Sequence, residues 1–248
     1  MKGALGLEPG FGPVVTDELA LMDECLDLQA CAVLELGCGK ARQARQLLQR
    51  FPHARVIGIE PQAALVEGNA SRAQAGLVVL QGRAEAVPCA DAAFDMVWML
   101  KSLHHIPDMP KALAEAARVL RPGGWLYVSE PVYAGHLNEI VLLYNDEGRV
   151  RAAAQQALDA AAALAVWGAQ REWRFVQPVH FADAQDFENR MMQDALRQLP
   201  DETARQRLRD TVRSAYAPHQ RTGGAHFVRP MHARAMQKAL RAPGAQVK

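Results

Sequence analysis

The chain is expected to be an α/β protein built on a doubly wound, mostly parallel sheet of seven strands. Three observations predict it. Strand-like apolar runs alternate with helical patterns five times in succession, the order that winds a parallel sheet. The runs are apolar on both faces, as a buried parallel strand must be. The first run ends Glu35-Leu36-Gly37-Cys38-Gly39 and the second ends in Glu60. Acids therefore stand at the carboxyl ends of two adjacent strands, where such sheets bind nucleosides.

Each element can be justified in chain order. Thr16 can cap a helix over 16–28, with Leu19, Met22 and Leu26 at helical spacing. Residues 31–36 read as the first strand. After the Gly-x-Gly turn, Ala41, Ala44, Leu48 and Phe51 mark one helix face. Residues 54–59 form the second strand, and Pro61 sits where a helix can begin. Strands follow at 77–80 and 94–99. A helix over 108–120 is stopped by Arg121-Pro122-Gly123-Gly124, and 125–129 is the fifth strand. Residues 136–167 then read as mostly helical, ended by Gly168. A strand over 172–181, helices over 184–198 and 201–216, and a last strand over 225–235 complete the pattern. The expectation is a single domain over 1–248, with an N-terminal lid helix in 1–28 and a helical insertion over 132–170.

Composition narrows the function classes. Of 248 residues, 50% are hydrophobic and the formal net charge is +1. That charge argues against a nucleic-acid surface. No stretch has the length of a membrane span, and the first residues lack a signal peptide's apolar run. A cytoplasmic protein, without nucleic-acid or membrane partners, is expected as a monomer or homodimer. The four cysteines (Cys25, Cys31, Cys38, Cys89) have no Cys-x-x-Cys spacing, so reduced thiols are expected. Asp108 and His105 could join a metal set, but no compact triad is apparent and no metal is expected.

The Gly-x-Gly turn alone is a weak signal, since it also serves as an ordinary strand-to-helix connection. A dinucleotide fingerprint needs a third glycine where Arg42 stands. No Gly-Lys-Ser/Thr follows, so it is not a phosphate-binding P-loop.

Several segments in order and spacing carry a resemblance. They are Val33-Leu34-Glu35-Leu36-Gly37-Cys38-Gly39, Glu60, 81–88, Phe94-Asp95-Met96-Val97 with Leu103-His104-His105-Ile106, and 119–126. Together they resemble class I S-adenosylmethionine-dependent methyltransferases over about residues 30–130. Similarity is greatest to the small-molecule branch that includes ubiquinone/menaquinone-type enzymes. The resemblance implies a Rossmann-like methyltransferase fold with a helical lid after the fifth strand. It implies S-adenosyl-L-methionine as cofactor and in-line methyl transfer to an O, N, C or S atom of a small-molecule acceptor. A cofactor-binding sensor or partner protein without methyl transfer is the alternative.

The residue chemistry agrees with such a pocket. Gly37, Cys38 and Gly39 let backbone approach the methionine part, and their amides suit its carboxylate. Glu60, followed by Pro61 and Gln62, can accept both ribose hydroxyl protons. Glu35 can order the turn or meet the ammonium through water. Ala84 and Glu85 should lie at the adenine edge, and Met99 and Leu100 should line the channel. Cys38 is read as a small buried residue, not a nucleophile. At two positions the chain differs from the pattern: Ala41 replaces a glycine, and Arg83 replaces an aspartate. Arg83 should point outward or pair with Glu85. Candidate catalytic residues are His104, His105, Glu130 and Tyr133. Tyr133, His136 and Tyr144 follow the fifth strand, where acceptor-facing groups should fall.

Overall fold

The computed structural model describes residues 11–240. The part of the expected N-terminal lid at 1–10 lies outside the described residues. The chain divides into two compact units. Among the described residues, the larger comprises 17–130, 152–173 and 232–240. The smaller comprises 11–16, 131–151 and 174–231.

The larger unit carries the doubly wound sheet. Strands β1 (Ala32–Leu36), β2 (Arg55–Glu60), β3 (Leu77–Gln81), β4 (Phe94–Leu100) and β5 (Leu120–Pro131) alternate with helices α2 (Arg42–Arg50), α3 (Ala63–Ala70) and α4 (Met109–Val119). A short α1 (Leu19–Asp23) precedes them. With the later strands β6 (Trp167–Phe181) and β8 (Gly224–Lys238), the strand order is β3-β2-β1-β4-β5-β8-β6, and β1, β2, β3, β4 and β5 are in parallel register. Connectivity reverses between β1 and β4. A crevice therefore opens at the carboxyl ends of those two strands.

Apolar burial fixes this arrangement. Leu34, Leu36, Val97, Leu126 and Val128 are fully buried in one cluster, together with Leu113 and Ala116 from α4. The α4 helix is well specified at its start. Asp108 caps it by accepting from the Lys111 N–H (3.1 Å), and Pro110 sits in its first turn.

In the smaller unit a separate cluster gathers Leu137, Phe181, Phe187, Val212, Tyr216 and Phe227. Its helices are α5 (His136–Val141), α7 (Ala184–Met191), α8 (Gln193–Gln198) and α9 (Glu202–Tyr216). A two-residue β7 (Gln220–Arg221) pairs antiparallel with β8 (Gly224–Lys238).

Several expected boundaries shift. The sheet has eight strands, because the short β7 carries no apolar pattern to announce it. The first helix begins at Leu19, with the Asp17 carboxylate accepting the Leu19 N–H (3.0 Å), so Thr16 is not its cap. The helical stretch after β5 is broken at 142–147 into α5 and α6 (Gly148–Ala162). Gly168 does not end a helix. It lies inside β6 (Trp167–Phe181), which starts earlier than its alternating residues foretell. The Arg121-Pro122-Gly123-Gly124 stop is absorbed into β5 as a register shift opposite Phe94 and Met96.

Candidate active site

The turn after β1 is built from residues with left-handed backbones. Gly37 has φ +72° and Gly39 +53°, values open to glycine at no steric cost. A Cβ on Gly37 would stand 2.7 Å from the Ser102 Cβ, so space as well as conformation demands glycine there. At Gly39 no atom lies within 4 Å of such a Cβ, which marks open space beside the turn. Ala41 also adopts φ +49° as it leads into α2, the residue where the family pattern has glycine.

Glu60 closes this turn from the end of β2. It is 4% exposed, and its two oxygens accept from Gly39 N–H (2.9 Å) and Gln62 N–H (3.0 Å). The amides of Gly37 and Cys38 both donate to the Ile59 carbonyl, at 2.9 and 3.1 Å. The amides expected to receive a carboxylate are thus engaged in shaping the turn. The start of α2, which has no side-chain cap, offers the neighbouring donors instead. Each Glu60 oxygen retains a second lone pair for a hydroxyl.

Glu35 is buried among apolar neighbours, and its Oε2 has no partner among the described residues. Burial pushes its carboxyl up to about 8, against smaller lowerings by the Trp98 indole, the Ala44 amide and last the charge of Lys101. The Cys38 thiol is pushed up to about 12, first by burial and then by the charges of Glu35 and Glu60. It is packing, not a nucleophile. A Cβ on Gly58 would meet the Cys38 sulfur at 2.7 Å, so Gly58 exists to seat that side chain.

At the adenine-side segment, Ala84 and Glu85 are buried, and Arg83 pairs with Glu85 at 2.9 Å. Pro61 and Gln62 are exposed. Met99 is fully buried within the core cluster, and Leu100 is half-buried.

At the β4 exit a 3₁₀ turn holds Leu103, His104 and His105. Glu130, fully buried at the end of β5, organises it. One Glu130 oxygen accepts the Leu103 N–H (2.8 Å) and the other meets His104 Nδ1. Glu130 is therefore a positioning residue and His104 the group it orients. The two histidine rings lie 3.9 Å apart, with His105 exposed and His104 buried. Tyr133 belongs to the smaller unit, where its exposed hydroxyl donates to Asp146 (2.6 Å). That bond pushes the phenol up, away from use as a base.

Four residues here escape sequence reasoning. Ser102 donates to the Leu36 carbonyl (2.8 Å) and packs on Gly37. Glu18, 5% exposed, accepts from the Tyr127 hydroxyl (3.1 Å) and pairs with Lys101 at 3.6 Å. Lys101 itself has φ +57°. That left-handed φ at a strand exit is unusual for a non-glycine residue and is visible only in the folded chain.

A reversed parallel sheet, with a glycine turn after β1 and a buried acid ending β2, defines a nucleoside-cofactor domain without phosphate cradle. In comparison with known proteins, residues 34–128 match the methyltransferase domain family. A trans-aconitate 2-methyltransferase of Deinococcus radiodurans is 34% identical over 44% of this chain and 42% of its own length. A ubiquinone/menaquinone biosynthesis C-methyltransferase of Paracoccus denitrificans is 38% identical over 45% of this chain and 46% of its own. The chain thus spans less than half the length of these relatives. The solved YcgJ protein of Bacillus subtilis shares the fold, with a TM-score of 0.59 at 22% identity over 90% of this chain and 98% of that one. The family match is confined to residues 34–128, less than half of this chain. Among the described residues no helix is long and apolar enough to cross a membrane.

Proposed function

We propose that this protein transfers a methyl group from S-adenosyl-L-methionine to a small-molecule acceptor. The observation that carries the reading is Glu60: a buried carboxylate at the β2 exit that shapes the glycine turn and keeps lone pairs for a vicinal diol. The residues present fit the cofactor. The unpartnered Glu35 oxygen is an acceptor for its ammonium, directly or through water, and the open space beside Gly39 admits its chain. When bound, the cofactor supplies an electrophilic methyl on sulfur.

The chain's own residues supply position and, where needed, a base. Glu60 orients the ribose, and the turn fixes the methionine end, so the two reactants are held for in-line attack. The Glu130 carboxylate meets His104 at Nδ1 and so fixes the orientation of its ring. His104 is the base for an acceptor whose nucleophile must lose a proton, and the His105 ring lies tilted beside it. Acceptor choice belongs to the chain outside 34–128. The two relatives are named for trans-aconitate and for a C-methylation in ubiquinone/menaquinone biosynthesis, so the domain alone does not fix the acceptor. The protein is further proposed to be cytoplasmic, a monomer or homodimer, and to bind neither nucleic acid nor membrane.

Incubation of the protein with methyl-labelled cofactor and a metabolite extract, read by mass spectrometry, tests the transfer. A labelled small molecule absent from a Glu60→Ala control is the expected result. Tight cofactor binding with no labelled product in any extract would favour the sensor reading.

A further inference from the structure

The larger unit carries a second concave site, away from the cofactor crevice. A cavity of about 500 Å³ lies between α4, the second half of α6 and the start of β6, a volume within the range of small-molecule sites. All of its lining residues belong to the larger unit. Leu113, Ala117, Ala161 and Trp167 are members of the buried core cluster and form its floor. Ala114, Ala160 and Leu164 are exposed and form its rims, with Leu164 57% exposed. A lone exposed leucine means little, but this one edges a continuous apolar hollow. The alanines on both helices leave a slot that no long side chain fills. From Pro110 to Arg118 that slot follows α4 for about 12 Å at the ordinary helical rise.

Charge sits at one end of the slot and has one sign. Arg118 and Lys238 line it, and among the described lining residues there is no carboxylate. Arg118 is fully engaged. Its five N–H donors go to both Glu115 oxygens, to Asp91 and to the Cys89 and Val87 carbonyls, at 2.6 to 3.0 Å. Lys238 has donors to spare. Its Nζ donates to the Leu120 carbonyl (2.7 Å), and no described acid forms an ion pair with it. An ammonium carries three donors, so two are left for a ligand. Burial pushes its charge down from the ordinary value, against a smaller raising by Asp91, which Arg118 holds. Leu120 begins β5, so this cation stands at the opposite end of the sheet from the cofactor crevice.

We propose that this slot binds a free aliphatic carboxylate, its chain along α4 and its carboxylate on Lys238. The alanine-lined walls suit a straight apolar chain, and the length of the slot favours a medium chain over a two-carbon acid. An end with cations and no acid selects an anionic head. The site is independent of methyl transfer, since none of its residues lies in the glycine turn or at the β4 exit.

Calorimetric titration of the full chain with decanoate, decanamide and acetate tests the site. Decanoate should bind at least about five-fold tighter than decanamide, the effect of one charge-assisted contact. Acetate should give no measurable heat. Lys238→Gln keeps a donor for the Leu120 carbonyl while removing the charge, so it should bind acid and amide equally. Ala157→Leu, on the α6 wall, should lose both ligands. Cooperative thermal melts report that the variants fold, and the comparison of ligands on the unaltered chain needs no variant. Absence of decanoate binding, equal affinity for acid and amide in the unaltered chain, or a retained acid preference in Lys238→Gln would overturn the assignment. So would a dimer in sedimentation that Leu164→Glu splits and decanoate does not, which would give the slot to a second copy of the chain.

Discussion

Two glutamates in the same crevice take opposite environments. Glu60 is held by backbone donors, while Glu35 is buried with one oxygen unsatisfied. The pH consequence falls on Glu35. Its folded carboxyl titrates at about 8 against an ordinary 4.5, so between those values the unfolded chain holds fewer protons than the folded one. Stability is therefore lost as pH rises through that window, with a slope of up to about 1.4 kcal/mol per pH unit from this group. Denaturation of the cofactor-free protein at pH 5, 6.5 and 8 should show the decline, and Glu35→Gln should flatten it. Glu60→Ala removes two part-buried bonds from backbone amides, at a cost of about 1–3 kcal/mol, and should weaken cofactor binding more than ten-fold by calorimetry. Unchanged affinity would remove Glu60 from the ribose site. The value of both acids was legible from their place at strand ends. That Glu60 also secures the turn was not, because the bond to Gly39 spans 21 residues of sequence.

The turn and its flanking elements set a narrower tolerance than composition implies. Ala41 spends left-handed strain of about 1–2 kcal/mol that a glycine would not. Glycine would in turn gain freedom when unfolded, by about 0.5–1 kcal/mol. Ala41→Gly should therefore change stability by less than about 1 kcal/mol, while Ala41→Val should be clearly destabilising in a thermal melt because a branched side chain resists that φ. Gly37→Ala should abolish cofactor binding in a folded protein, and Ser102→Gly should restore only part of it, since the added space does not repair the φ of +72°. The strands around this turn were readable because each is an apolar run with a sharp end. The break between α5 and α6 was not, because its residues keep helical composition while Tyr133 and Gly148 share Asp146, which draws the chain out of the helix.

For the molecule as a whole, each unit has an apolar cluster of its own. Phe187→Leu in the smaller cluster should lower stability by about 1–2 kcal/mol without altering affinity for the cofactor, whose expected contacts all lie in the larger unit. A parallel loss of affinity would show that cofactor binding draws on the smaller unit's packing. The parallel half was legible because its strands and helices alternate locally. The rest was not: β6 and β8 are long strands that run on from one unit into the other, and no composition shift marks where the division falls.

The thiol seated against Gly58 gives the cofactor turn a built-in clock. Cys38 is 6% exposed and resists ionisation, so an alkylating reagent can reach it only in the moments when the turn lifts from β2. In a variant whose other three cysteines are replaced, its labelling rate counts those openings directly. Ligand that clamps the turn must slow the count in proportion to its occupancy, so a residue with no chemical part in the reaction becomes the gauge of how often the site is ready for it.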